Sequence, residues 1–250
     1  MQDRYVADIG DFGKYGLLNF IASETKLRLG VNWYLTSPTP NENKSEDGKF
    51  YKYLLKDTKY AQKLGDCNKE LYEKLQKIIR EWDEGKNPEI RCLKQIEYHN
   101  ILPKGTIFHK NELKENNRKN WLSRSISNLS GSELVFFDPD NGICIKDEDK
   151  SPKHVYCNEI RDYFENGQSL VVYQHADRTD KFNNVLLDKK DKLIKELEIN
   201  NNQIICLRYK RGSARAFFII MQQEHSVCIT KAINDFLKTK WGEHEHFIKI

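Results

Sequence analysis

The sequence predicts an α/β fold built on a mostly parallel sheet, on three observations. Residues 134–137 (Leu-Val-Phe-Phe) and 169–173 (Ser-Leu-Val-Val-Tyr) are short, almost wholly apolar runs, as strands covered on both faces require. Segments with helical periodicity stand between such runs, so strand and helix alternate along the chain. Each run also stops abruptly in polar residues, Asp138-Pro139-Asp140-Asn141-Gly142 after the first and Gln174-His175-Ala176-Asp177-Arg178 after the second. In open α/β sheets, the carboxyl ends of the strands are where ligands bind.

Composition narrows the class. A length of 250 residues suits one α/β domain over 1–250, with residues 49–87 read as an inserted helical lobe. The 38% of hydrophobic residues can supply a core, whereas 31% charged residues and a mean hydropathy of −0.75 argue against a membrane-embedded class. Residues 1–4 are too polar to open a signal peptide, and the six cysteines form no Cys-x-x-Cys pair. A cytoplasmic chain with buried free thiols is therefore expected. The net charge of +4 permits a nucleic-acid partner without requiring one.

Residues 8–14 read Asp-Ile-Gly-Asp-Phe-Gly-Lys ahead of a short apolar helix that runs to about Ala22. Asp11 is placed to cap that helix. The glycines would also let backbone approach a ligand, and Lys14 offers a point charge for phosphate, so Asp8, Asp11 and Lys14 are candidate site residues. Residues 31–35 predict the first strand. Residues 36–47 form a polar loop with Pro38 and Pro40, closed by Asp47, and helix is predicted over about 50–56. Leu71, Leu75, Ile78 and Ile79 make a helical stripe within 67–84, between charged residues most simply read as a solvated face.

Short strands are predicted at 90–98 and 106–109, and helices at 111–129, 153–165 and 182–197. Strands at 203–209 and 215–221 are joined at hairpin spacing by Lys210-Arg211-Gly212-Ser213-Ala214, which places an antiparallel pair at one end of the sheet. With Arg208, Lys210, Arg211 and Arg215 this is the densest basic patch, either a solubilising tip or a phosphate contact. A last helix over 227–238 precedes Trp241 and His244-Glu245-His246, read as a surface tail. Strand–helix alternation closed by a hairpin is the order of a Rossmann-like sheet. Asp138 and Asp140 could simply cap a turn, and His175 could be an ordinary turn histidine. Two carboxylates and an amide, Asn141, directly after a fully apolar strand point instead to a cleft that His175 shares.

The pattern resembles the family of 23S ribosomal RNA adenine-N6 methyltransferases called J. That family opens its first helix with Asp-x-x-Lys-His, and Asp11-Phe12-Gly13-Lys14-Tyr15 stands in that place. Its strand ending in Asp-Pro-Pro-Tyr is similar to Phe137-Asp138-Pro139-Asp140-Asn141, and its later Trp-Tyr-Pro to Val172-Tyr173-Gln174. The helical insertion at 49–87 and the hairpin at 203–221 complete the correspondence. The resemblance implies the methyltransferase variant of the Rossmann sheet and a nucleic-acid substrate. Two positions depart from it. The family's glycine turn for S-adenosylmethionine is replaced by Thr36-Ser37-Pro38-Thr39-Pro40, and its base-stacking aromatic by Asn141. Tight binding of S-adenosylmethionine is therefore not expected, and methyl transfer is the alternative reading.

What remains is a set of oxygen ligands without thiols, which suits Mg²⁺ or Mn²⁺. The expectation is a divalent-metal-dependent phosphodiester hydrolase acting on nucleic acid. Asp138 and Asp140 would hold the metal, and His175 would act as general base or third ligand. Lys14 and Arg178 would hold phosphate, with Asp8, Asp11 and Asp47 alongside. A binding module without chemistry is the third reading. Unpaired carboxylates in one cleft repel phosphate unless a cation accompanies them, which disfavours it.

Overall fold

The computed structural model describes residues 1–37, 48, 50–87, 89–145, 151–175 and 182–250. Pro38, Pro40, Asp47 and Arg178 lie outside them. The strands are β1 (Leu29–Asn32), β2 (Ile107–His109), β3 (Leu134–Phe137), β4 (Gly142–Cys144), β5 (His154–Tyr156), β6 (Ser169–His175), β7 (Ile204–Tyr209), β8 (Arg215–Ile220) and β9 (Phe247–Lys249). The helices are α1 (Ile9–Thr25), α2 (Lys59–Gly65), α3 (Lys69–Gly85), α4 (Lys94–Tyr98), α5 (Arg118–Leu129), α6 (Cys157–Glu165), α7 (Phe182–Leu197), α8 (Ser226–Leu237) and α9 (Lys240–Glu243).

Seven strands form one sheet in the order β2-β1-β3-β6-β8-β7-β9. β2, β1, β3 and β6 are parallel, and β8 runs against both of its neighbours, so the fold is α/β with a mostly parallel sheet plus antiparallel strands. The three apolar runs sit side by side as β1, β3 and β6. Strand alternation sends Leu134 and Phe136 to one core with α1, α3 and α8, and Val135 and Phe137 to the other with α5, α6 and α7. The stripe Leu71, Leu75, Ile78 and Ile79 of α3 is buried in the first of these cores. Among the described residues no helix is long and apolar enough to cross a membrane. All six cysteines are free thiols, but only Cys157 and Cys206 are buried.

Several elements differ from the sequence reading for local reasons. The first strand ends at Asn32 instead of Leu35. Asn32 Oδ1 accepts from the Tyr34 amide at 3.3 Å, and Tyr34 takes φ 46°, which turns the chain out of the sheet. No strand forms within 90–98, where residues 94–98 are helical. Leu93 and Ile96 are buried three positions apart, the helical spacing. The helix expected at 111–129 begins at Arg118, because Leu113 donates to the Leu35 carbonyl at 2.8 Å and Trp121 Nε1 to the Asn111 carbonyl at 2.8 Å. Residues 154–156 form β5 rather than helix and pair with β4 in a second, two-stranded parallel sheet. The hairpin β7–β8 is not the edge of the main sheet: β9 pairs with β7 outside it, so the segment read as a surface tail closes the sheet, with Trp241 and His246 buried.

The N-terminal glycines have a packing role. Asp8, not Asp11, caps α1, its Oδ1 accepting from the Gly10 amide at 2.8 Å. A Cβ on Gly10 would collide with the Arg215 guanidinium, one on Gly13 with the Tyr209 ring, and one on Gly16 with the Trp241 indole. The i, i+3 glycine row is therefore the groove on which the C-terminal part of the sheet is seated. It presses Arg215 of β8 against the first turn of α1.

Candidate active site at the carboxyl edge

A cleft of about 420 Å³ opens over the carboxyl ends of β3 and β6 and the start of β8. Its lining includes Asp8, Asp11, Lys14, Asp138, Asp140, Asn141, Tyr173, His175 and Arg215. Two motifs 124 positions apart in the sequence meet at its floor. The Lys14 ammonium lies 2.7 Å from Asp11 Oδ1 and 2.8 Å from Asp138 Oδ2, and all three residues are buried. Burial works against the ammonium, but Asp11 and Asp138 outweigh it and hold Lys14 above the ordinary lysine range. Burial is also the largest influence on Asp11; it raises that carboxyl, Lys14 pulls it back, and Asp138 adds to the rise.

The supporting bonds fix which oxygens are available. Asp11 Oδ2 accepts from the Tyr15 hydroxyl at 3.0 Å and the Ala7 amide at 3.1 Å, so its carboxylate is fully engaged. Asp8 caps α1 and receives the Phe50 amide at 3.2 Å, with Arg215 Nη1 at 3.5 Å. Asp140 turns away from Asp138: the Met1 amino group is 2.9 Å from Oδ1, and Gln2 Nε2 and Thr36 Oγ1 donate to Oδ2. Met1 and Gln2 are buried, with the Met1 amino group also bonded to the carbonyls of Tyr34 after β1 and Asp138 after β3. They occupy the crevice between these two strands. Asp138 Oδ1 accepts no bond from a described residue. It is the one oxygen of this carboxylate group still available to a ligand.

Across the cleft, the Tyr173 hydroxyl and His175 Nδ1 are 3.0 Å apart. Burial pushes the Tyr173 phenol up to about 12, which keeps it protonated and hydrogen-bonding. His175 is the last residue of β6, paired with Arg215 of β8. Gly142 takes φ 98°, and any side chain there would strike Gln174, whose Oε1 accepts from the Ile143 amide at 2.9 Å. That close approach holds the Asp138–Gly142 turn against the end of β6.

The predicted site residues thus separate. Asp8, Asp11, Lys14, Asp138, Asn141, His175 and Arg215 share the cleft, and Asp140 lines it with its carboxylate otherwise engaged. The basic patch of the hairpin is divided. Arg208 bonds Asn183 Oδ1 on α7 and lies over the Phe182 ring, whereas Lys210 pairs with Glu245 and Arg211 bonds His246 and the His244 carbonyl. Only Arg215 of the four faces the cleft. No group of three His, Cys, Asp or Glu side chains arranged to hold a metal exists among the described residues. Sequence reasoning passed over Tyr15, although its i+4 spacing from Asp11 put both on one helix face, and Arg91. Arg91 donates to the carbonyls of Val6 and Gly48 and lies over the Tyr51 and Trp82 rings, tying the first turn to the helical segment; nothing in its sequence neighbourhood signals this. No protein-family model matches the chain, and no curated protein matches it in sequence.

Proposed function

We propose that this chain is a nucleic-acid-acting phosphodiester hydrolase on a Rossmann-like sheet of the methyltransferase type, with Asp138 at its reactive centre. The observation that carries the reading is the half-engaged Asp138 carboxylate, pinned through Oδ2 by a buried lysine and open through Oδ1 to the cleft. Burying a charged lysine between two carboxylates costs desolvation energy, and such arrangements cluster at functional sites. Asp8, Asp11 and Asp138 outnumber Lys14 and Arg215, so the cleft favours a cation. Once a divalent ion enters, the balance reverses and phosphate is attracted.

The donor set fits Mg²⁺ or Mn²⁺ in the mode that uses one or two protein carboxylates and otherwise waters and substrate phosphate oxygens. Asp138 would hold it; the ion would neutralise charge developing on the phosphoryl oxygens. Lys14 holds Asp138 in place through Oδ2. Arg215, seated on Gly10, is positioned for a non-bridging oxygen. His175, oriented by Tyr173, serves as general base at the cleft wall. The sheet order, with a reversed strand placed between β6 and β7, supports the methyltransferase-type architecture of the resemblance.

The meeting of Lys14 and Asp138 also favours the second reading, adenine-N6 methyl transfer, because these are the two segments that carry the resemblance. The filling of the β1–β3 crevice by Met1 and Gln2 weighs against it. Labelled single-stranded RNA and DNA, incubated with and without Mn²⁺, decide between them. The wild type should cleave only with the metal, and Asp138→Asn should lose about a hundredfold or more. Undiminished cleavage by Asp138→Asn ends the hydrolase reading. Micromolar binding of S-adenosylmethionine by calorimetry, lost in Asp138→Asn, replaces it with methyl transfer.

A further inference from the structure

A second groove, of about 690 Å³, runs from the cleft along the start of the helical segment. Its lining includes Phe50, Lys52, Lys56, Tyr60 and Gly212, and it shares Phe50 and Gly212 with the cleft. Its composition is unlike the rest of the surface. Phe50 is 56% exposed and Tyr60 43%, two of only five large hydrophobic side chains exposed among the described residues. Lys52 and Lys56 form no ion pair with a described residue, whereas Lys69, Lys74 and Lys77 on nearby α3 each lie beside a glutamate of the same helix.

We propose that this groove binds single-stranded nucleic acid, with bases stacked on Phe50 and Tyr60 and the backbone tracked by Lys52 and Lys56. The inference rests on the hydrolase reading for the direction of the strand, since the shared residues Phe50 and Gly212 lead it toward Asp138. Every base offers a π-face, so exposed rings beside unpaired cations bind single strands with little regard to sequence. A duplex keeps its bases stacked on one another and cannot use those rings. Charge complementarity with a polyanion distinguishes this occupant from an apolar peptide, which would leave the lysines without partners.

The test uses the full chain and fluorescence anisotropy with labelled oligo-dT, oligo-U, a DNA duplex of equal length, and heparin as a polyanion without bases. With Ca²⁺ in place of Mn²⁺ to suppress turnover, single strands should bind more tightly than the duplex. Phe50→Ala and Tyr60→Ala should each weaken single-strand binding by roughly tenfold, without a change in melting temperature, because both rings are exposed. The double variant Lys52→Gln/Lys56→Gln should lower the slope of log Kd against log salt by about 1.4, at about 0.7 per phosphate contact on a single strand. Equal affinity for duplex or heparin, or ring variants that bind like the wild type, overturns the proposal. Hydrolysis of bis(p-nitrophenyl) phosphate, too small to span the groove, reads the cleft independently. A wild type that hydrolyses it while failing the binding test loses only the groove; one that binds single strands and hydrolyses neither substrate loses only the hydrolase reading.

Discussion

Two ion-paired clusters lie on opposite sides of the sheet, and they differ in how fully their oxygens are engaged. Behind it, Arg118 and Glu159 make two parallel bonds of 2.7 Å, Nε to Oε1 and Nη2 to Oε2. Glu159 Oε2 also accepts from the Tyr156 amide and the Tyr34 hydroxyl, and Arg118 donates to the carbonyls of Ser151 and His154 while lying over the Tyr156 ring. Every polar side-chain atom of that pair is engaged by a described residue. In the Asp11–Lys14–Asp138 group Asp11 is equally saturated, but Asp138 keeps one oxygen for something else. A closed buried pair holds elements together. An open one has already met the desolvation cost of a charge and presents it to a ligand.

The contrast can be broken at either end. Glu159→Gln should be the most costly change, because it leaves the partly buried Arg118 beside a neutral amide. A loss of about 3–5 kcal/mol is expected, a fall of roughly 10 °C in melting temperature, with activity per folded molecule retained. Calorimetry alongside the cleavage assay checks both halves; a stable Glu159→Gln protein would show that the pair is dispensable. Lys14→Met should cost less, about 2–3 kcal/mol, because the raised Asp11 carboxyl can take up a proton once the ammonium is gone. It should nevertheless abolish activity, since Asp138 is then no longer fixed in the cleft. Activity that survives in Lys14→Met would reduce that lysine to a packing role.

Per ring and per pH unit, the smallest effect is in the pH dependence of stability. Burial holds His109 at about 4, and burial, Arg211 and His244 hold His246 at about 4. Both values lie below the ordinary histidine pKa, so as pH falls from about 6.5 toward 4 the unfolded chain takes up protons that the folded chain refuses. Stability should drop across that window by at most about 1.4 kcal/mol per pH unit for each ring. The raised Asp11 acts in the opposite sense at the acid end. Urea melts at pH 7 and pH 5 should differ, and His109→Gln/His246→Gln should flatten the difference; an unchanged slope in that variant would exclude these rings as its source.

Much of the architecture was legible because it rests on local periodicity. The runs at 134–137 and 169–173 could only be strands covered on both faces, and the stripe of α3 could only be a helix with one buried side. Asp11 and Lys14 on one side and Asp138 on the other were also legible as candidates, since polar residues where an apolar element begins or ends have little packing role. The short elements were not. Three-residue strands such as β4 and β5 carry no period, and residues 94–98 took the helical reading of an apolar spacing that a strand could also have used.

What sequence alone determined is therefore the inventory: α/β alternation, a hairpin near the end, and acidic and basic residues at strand ends. Which of those residues act together was decided by tertiary packing. The glycine row of α1 reads equally as a ligand loop or a packing groove, and only the arrival of Tyr209, Arg215 and Trp241 from the far end of the chain made it a groove. Asp138 and Asp140 are two positions apart and chemically identical. Lys14 reaches one, while Met1, Gln2 and Thr36 enclose the other. Hydrogen bonds are directional and act only at contact distance, so the oxygen left open to a ligand depends on neighbours that chain order does not reveal.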